Sequence, residues 1–390
     1  MKPLDLPAPG RSAAPTVAYG VGAIHRTPGI VQEFGAERVL LVCGRTSFEA
    51  SGGAEILPEL EKVAAVRRWS DFEPNTDSAD LAVGLDILRD YQADLVLGIG
   101  GGSALDMAKL LVSYDGTPSD RIVGEIQAGS KAEGRTAQLV LAPTTSGSGA
   151  EASHFAVVYV GDEKFSIAGP AMRADAIVLD PALTLSGSRY QRATSGIDAV
   201  AQAIESLWAT GATDRSRRFA HHALRLLMPA IESYVNDPGE RSARAMAIGS
   251  HLAGRAIDIS KTTAAHALSY AITKRHGVSH GHAVALTLGA FIELHVQAEP
   301  SQLQEGSDPT SHRESMAAVL GHLGASDPTD ARKRFDGLLE RLGLTPRLTD
   351  VCGDAPDAIR AIASSANAER LGNNPVRLTS EDLHRLLVRS

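Results

Sequence analysis

The sequence predicts an α/β fold in two parts: a parallel sheet wrapped by helices over residues 1–187, then an all-α part over 188–390. Three observations predict it. Short apolar runs alternate with helix-like segments through the first half, and strand-like runs nearly vanish after residue 188. Between the two textures, DPALTLSGSRY (180–190) supplies Pro181, Gly187 and several serines, a boundary composition.

In the first half, ERVLLVCG (37–44), KVAAVRRWSDF (62–72), ADLVLGIGGG (93–102) and QLVLAPTT (138–145) read as strands, each short, apolar and stopped by Gly, Pro or a polar turn. DLAVGLDILRD (80–90) and ALDMAKLLVS (104–113) carry apolar residues at helical spacing. Strands alternating with helices imply a parallel sheet covered on both faces. In the second half, YQRATSGIDAVAQAIESLWAT, RSRRFAHHALRLLMPAIESYV, ERSARAMAIGSHLAGRAID and KTTAAHALSYAIT are helical patterns. The polar stretch 297–315, with two prolines and one glycine, reads as a loop.

Composition narrows the function. With 38 basic and 46 acidic residues the net charge is −8, and no basic run is present, which argues against a nucleic-acid partner. At 43% hydrophobic and 22% charged, the chain has the makeup of an ordinary globular protein. Two cysteines, Cys43 and Cys352, cannot build a disulfide framework, so a reducing cytoplasm is expected. The N-terminal MKPLDLPAPGRSAAP has no apolar core and no stretch of 18 apolar residues follows, so neither secretion nor a membrane is expected.

LVLGIGGGSALDMAKLL runs strand, glycine turn, helix, the order that anion binding requires. Gly100, Gly101 and Gly102 allow close backbone approach to a phosphate, and Ser103 reads as the N-cap of the helix that follows. A plain tight turn is the alternative for the glycines alone. A second turn, PTTSGSGAE (143–151), closes another strand end, and two such turns read as a dinucleotide site. At the end of the first of these strands stand Gly44, Arg45, Thr46 and Ser47, with no carboxylate for a ribose 2′-hydroxyl. An arginine and two hydroxyls suit a 2′-phosphate, so NADP(H) is expected ahead of NAD(H), unless Arg45 is merely a solvated loop residue.

Five of the 13 histidines, His251, His266, His276, His280 and His282, fall between 251 and 282. His266 on a helix and His280 on the loop after it could converge on a metal, since neutral imidazole suits Fe, Zn, Cu and Ni. Asp198 and Gln202 stand four apart and share a helix face.

In order and spacing, GGGSALDMAK, PTTSGSGAE, GIDAVAQAIE and HALSYAIT…HGHAVAL resemble the iron-containing (group III) alcohol dehydrogenases over roughly residues 15–295. Within that family the segments KTTAAHALSYAIT and SHGHAVALTL look most like the phosphonoacetaldehyde reductases. The resemblance implies a Rossmann-like first domain, a helical second domain of the kind also found in dehydroquinate synthases, and a cleft holding NAD(P) and one divalent metal. It implies Fe(II) ahead of Zn(II), and a homodimer. Asp198, His266 and His280 match the family's ligands. Gln202 stands where a histidine is usual, which implies either a loosely held metal or a harder one. Tyr270 replaces another frequent histidine and could relay a proton or line the pocket. For the cofactor, Gly101, Gly102 and Ser103 match the pyrophosphate turn, Asp106 and Lys109 the start of its helix, Thr144, Thr145 and Ser148 the second turn, Asn75 the Pro-Asn segment, and Lys164 the lysine near the nicotinamide ribose. For Asp106 and Lys109, a helix cap and a surface pair are the alternative.

The implied reaction is reduction of a small aldehyde by NAD(P)H, with a metal polarising the carbonyl. A phosphonate group would need cations or hydroxyls. Lys261, Thr262, Arg275, His282 and His154 are the candidates, with Thr262 on the helix face of His266 and Tyr270. The competing readings are a dehydrogenase of neutral or carboxylated aldehydes, a dehydroquinate synthase-like lyase, and a metal-free binding module.

Overall fold

The structure, a computed structural model, describes residues 15–129, 135–353, 356–366 and 368–388. The N-terminal segment read above for a leader lies almost wholly outside them. The described chain forms two compact units, one ending at Gly187 and the other beginning at Ser188.

The first unit is built on six parallel strands: β1 (Thr16–Tyr19), β2 (Arg38–Cys43), β3 (Ala65–Trp69), β4 (Leu95–Gly100), β5 (Gln138–Pro143) and β8 (Ala176–Leu179), in the order β1-β8-β5-β4-β2-β3. The central strands are near-continuous apolar runs because both faces are covered. Alternate side chains feed opposite cores. Leu40, Val42, Val96 and Leu139 pack on one side, and Val39, Leu41, Cys43, Leu97 and Ile99 on the other. From β2 the chain moves outward to β3 and then returns across β2 to β4. Their carboxyl ends, with Cys43 opposite Ile99, therefore form a switch point of the kind where open α/β sheets bind ligands.

All four predicted strands are present. Four others were not predicted. β1 and β8 have only four residues each, too few for a periodic signal, and β6 (Phe155–Val160) and β7 (Glu163–Ala168) form a separate antiparallel hairpin.

The second unit is helical. Its central element, Arg189–Trp208, is buried without interruption from Gly196 to Trp208, so neighbours cover it on every side. Around it lie Asp214–Asn236, Glu240–Ser260, Ala264–His276, His280–Gln297, Pro309–Leu323 and Pro328–Leu342. The loop expected over 297–315 is shorter than predicted. Asp308 accepts bonds from the Thr310 and Ser311 amides and starts a helix at Pro309, a proline-led start that polar composition disguised. No helix among the described residues is long and apolar enough to cross a membrane.

Candidate metal centre and dinucleotide turn

In the first unit, β4 ends at Gly100 and helix Gly102–Tyr114 begins at once, with Gly101 at the N-cap. The absence of side chains here is what lets the turn close. A Cβ on Gly100 would stand 2.6 Å from that of Ala104, and one on Gly102 would stand 3.0 Å from Ser148 Oγ. The second turn therefore lies against the first. The Thr144 amide donates to Gly100 O at 2.9 Å, and Thr145 flanks Gly101. Asn75, in the left-handed region at φ 66°, donates its amide to Ser103 Oγ at 3.0 Å. Asn75, Gly101, Gly102, Ser103, Thr144, Thr145 and Ser148 thus converge on a helix N-terminus suited to a phosphate. Ser103 is not the N-cap that the sequence suggested. It falls one residue inside the helix, where its hydroxyl serves Asn75.

Asp106 and Lys109 have another task. Lys109 is fully buried and donates to Ser153 Oγ at 3.0 Å and Phe155 O at 2.9 Å, which overturns the surface-pair reading. Asp106 Oδ2 accepts the Val157 amide at 3.0 Å. Together they bolt the β6–β7 hairpin onto the helix. Burial pushes the Asp106 carboxyl up, and the Lys109 and Lys164 ammonium groups pull against it. Lys164 lies on β7 opposite Tyr159, and His154 precedes β6 half-buried.

At the end of β2, Arg45 is exposed and engaged. Its Nη2 lies 2.8 Å from Asp71 Oδ1 and 3.8 Å from Glu73 Oε1. These carboxylates come from the segment after β3, so the stretch around Gly44 could not reveal them. Arg68 adds a second cation there, donating to Cys43 Sγ at 3.2 Å and pairing with Glu49. Ser47 packs its hydroxyl against Gly44, and Thr46 precedes the short helix Ser47–Ala50.

In the second unit, Asp198, His266 and His280 come together from three helices. One ligand atom from each lies within 4.8 Å of the others. Asp198 Oδ1 is 3.4 Å from His266 Nε2 and 3.9 Å from His280 Nε2. Gln202 donates Nε2 to Asp198 Oδ2 at 3.0 Å, which turns the other carboxylate oxygen toward the imidazoles. Gln202 thus orients the aspartate, and its own amide oxygen remains a neutral donor for a cation.

Glu205, absent from the sequence reading, completes the arrangement. It is fully buried, bonds His266 Nδ1 through Oε2, and accepts at Oε1 from the Thr263 amide (3.1 Å) and hydroxyl (2.6 Å). Trp208 Nε1 in turn donates to Thr263 Oγ1 at 3.0 Å. The carboxylate therefore fixes the His266 tautomer and caps the helix that carries it. Burial pushes the His266 imidazolium pKa down, but Glu205 and Asp198 more than reverse this, to about 9. The pocket is built to hold positive charge. His266 Nε2 is buried with no hydrogen-bond partner, and one carboxylate with two imidazoles suits Fe(II) or Zn(II), so a divalent cation fits these residues. The visible signal for Glu205 is its spacing: Asp198, Gln202 and Glu205 stand at i, i+4 and i+7 in the mostly apolar run Ile197–Glu205.

Gly281 also went unnoticed in the sequence. A Cβ there would stand 2.0 Å from Thr194 O and 2.7 Å from Asp198 Cβ, so only glycine lets the His280 helix approach the Asp198 helix. His280 Nδ1 lies 3.3 Å from Ser269 Oγ. The Tyr270 ring stacks on His280, with centroids 5.9 Å apart and planes at 14°. Burial pushes the Tyr270 phenol pKa up, while the Arg370 guanidinium, which donates to its oxygen, pulls the other way.

The expected anion contacts fare differently. His282, two residues past His280, faces elsewhere: Nε2 donates to Thr345 O at 2.9 Å and Tyr190 packs on its ring. Burial pulls its pKa down. Arg275 is exposed on the last turn of its helix. Thr262 is buried but precedes the helix, which begins at Ala264, so it does not share a helix face with His266 and Tyr270. Lys261 sits at φ 61°, a strained backbone for a side-chain-bearing residue. His251 is half-buried on the preceding helix.

Residues 14–181 match the family described as iron-containing alcohol dehydrogenase, and residues 192–390 match its C-terminal counterpart. The phosphonoacetaldehyde reductase of Streptomyces viridochromogenes is 36% identical over 313 residues, 77% of each chain. Long-chain-alcohol dehydrogenase 1 of Geobacillus thermodenitrificans is 30% identical over 281 residues, 70% of each. Among solved structures, a sulfoacetaldehyde reductase from Bifidobacterium kashiwanohense in complex with NAD+ superposes with a TM-score of 0.85 at 26% identity, covering 96% of both chains.

Proposed function

Because the chain belongs to the iron-containing alcohol dehydrogenase family, we propose that it reduces a short anionic aldehyde to the primary alcohol, with phosphonoacetaldehyde to 2-hydroxyethylphosphonate as the specific reaction. The observation that carries the reading is the convergence of Asp198, His266 and His280 on one point, with Glu205 bonded behind His266 and Gln202 bonded to Asp198. The phosphonoacetaldehyde and sulfoacetaldehyde reductases among its relatives support a two-carbon aldehyde with an anionic head. NADPH is the proposed reductant ahead of NADH, on the strength of Arg45 and Arg68 at the end of β2. Fe(II) is the proposed metal ahead of Zn(II). We further propose a homodimer, and a cytoplasmic location in keeping with Cys43 and Cys352 forming no disulfide.

Asp198, His266 and His280 would hold the cation, with Gln202 orienting the aspartate and Glu205 the first imidazole. A cation there supplies a Lewis acid for the carbonyl oxygen, and the reduced nicotinamide supplies the hydride. Gly101, Gly102 and Ser148 would cradle the pyrophosphate at the helix N-terminus. Tyr270, whose phenol is protonated at neutral pH and is pushed further up by burial, is the proposed proton donor to the product oxygen, and solvent returns the proton to its phenolate. No side-chain nucleophile takes part.

The test is NADPH oxidation by the iron-loaded protein with phosphonoacetaldehyde, sulfoacetaldehyde, succinic semialdehyde and acetaldehyde. Phosphonoacetaldehyde should give the highest kcat/KM, and Asp198→Ala should lose activity at least 100-fold. Equal turnover of acetaldehyde, or a fully active Asp198→Ala enzyme, would overturn the reading.

A further inference from the structure

Thr263 is the N-cap of the His266 helix, a place where a threonine oxygen ordinarily accepts from the second or third amide of its own helix. It makes no such bond here. Its hydroxyl donates instead to Glu205 Oε1 at 2.6 Å, and the same oxygen accepts from Trp208 Nε1 at 3.0 Å. The directions are fixed by chemistry. An indole N–H only donates, so the threonine oxygen receives it, and the threonine proton is left for the carboxylate.

Trp208, Thr263, Glu205 and His266 are all buried, so solvent does not stand in for any of these bonds. Trp208 is the last residue of the Asp198 helix, and its ring meets the His295 ring edge-on, with centroids 4.4 Å apart and planes at 85°. The backbone leading into Thr263 is held from outside, since Asn373 Nδ2 donates to Ser260 O (2.8 Å) and Thr262 O (2.9 Å). The chain Trp208–Thr263–Glu205–His266 therefore crosses from the end of one ligand helix to the start of another, with both ends secured.

Its effect on the carboxylate is directional. The Thr263 amide and hydroxyl both act on Oε1, which leaves Oε2 for His266 Nδ1 and His266 Nε2 bare toward Asp198. In a low-dielectric interior, donors stabilise a carboxylate's charge, and hydrogen bonds in series polarise one another. A charged carboxylate on the far nitrogen makes an imidazole the more basic ligand.

We propose that Thr263 is a positioning residue of the metal centre: its hydroxyl, aligned by Trp208, holds Glu205 in the orientation and charge that make His266 Nε2 a strong ligand for a divalent cation. The inference rests on the metal centre of the reductase reading and extends it past Glu205 to Thr263 and Trp208.

The experiment measures Co(II) affinity by chelator competition, following the visible absorption of the bound ion. Thr263→Val keeps the shape and the amide but removes the hydroxyl, and its affinity should fall about tenfold. Thr263→Ser should restore it to within about threefold of wild type, and Trp208→Phe, which removes the indole N–H, should lose about threefold. The deciding comparison repeats Thr263→Val in a Glu205→Gln background. A hydroxyl that acts through the carboxylate adds less than about twofold once that carboxylate is gone. If the valine variant does not fold, Trp208→Phe goes through the same cycle, with its loss likewise vanishing beside Glu205→Gln. Undiminished affinity in Thr263→Val, or an equal loss in both backgrounds, would overturn the proposal. A wild type that binds no Co(II) would overturn it together with the metal centre. One that binds the ion yet reduces no aldehyde would sink the reductase reading alone.

Discussion

Gly281 and Asp198 touch through a side chain that is not there: any Cβ on Gly281 would press to 2.7 Å of the Asp198 Cβ. His280, the preceding residue, reaches the aspartate only because of that gap. Gly281→Ala must push the two helices apart, since the other obstacle, Thr194 O, is backbone. The expected outcome is a loss of about 1–3 kcal/mol in stability from overpacking, with metal affinity down at least tenfold. Urea melts and competitive metal titration measure the two. Wild-type values in both would show that the helices have slack.

Glu205→Gln keeps the shape of the side chain but removes the charge behind His266. A carboxylate bonded to the far nitrogen of a ligand histidine typically contributes about 10–100-fold in metal affinity, and a loss in that range is expected here. A chelator competition assay reads it. Undiminished affinity would reduce Glu205 to a helix cap.

Gly44→Asp should lower the NADPH-over-NADH ratio of kcat/KM at least tenfold, because a carboxylate there repels a 2′-phosphate and welcomes a 2′-hydroxyl. The new side chain requires only that the Ser47 hydroxyl rotate away. A ratio that does not move would remove the β2 terminus from cofactor selection.

His295 gives a pH prediction independent of the metal. It is fully buried against Trp208, and burial, helped by His312, drives its pKa down to about 3 from an ordinary value of 6.5. Above pH 6.5 it is neutral whether the chain is folded or not. Below that, the unfolded chain takes up a proton that the folded one refuses, so stability falls by about 1.4 kcal/mol per unit until about pH 3. Between pH 7 and pH 5 the wild type should lose about 2 kcal/mol more than His295→Asn. Parallel urea midpoints for the two proteins would count against it.

Much of this was legible in the sequence, for identifiable reasons. The four central strands are apolar on both faces, so their signal survives without a partner. The glycine turn and the Asp198–His266–His280 set rest on residue types with few other uses. What stayed hidden depends on distant chain. Lys109 read as a surface residue because Ser153 and Phe155, its partners, lie more than 40 positions on. The Arg45 carboxylates arrive from beyond β3. Arg370 sits about a hundred residues from Tyr270, and no local pattern marks the pair. His282 misled because adjacency to His280 in sequence means the opposite side in a helix.

The helix that bears Asp198, Gln202 and Glu205 is enclosed on all sides over thirteen consecutive residues, from Gly196 to Trp208. Chemistry written there cannot be edited without disturbing folding, since every substitution meets a packed neighbour. The segment Ala368–Gly372 is only five residues long, with Gln304 bonding Leu371 O and Asn373 just beyond it bonding Ser260 O and Thr262 O. Change that spares the fold is therefore easier to accommodate outside the enclosed stretch Gly196–Trp208 than within it.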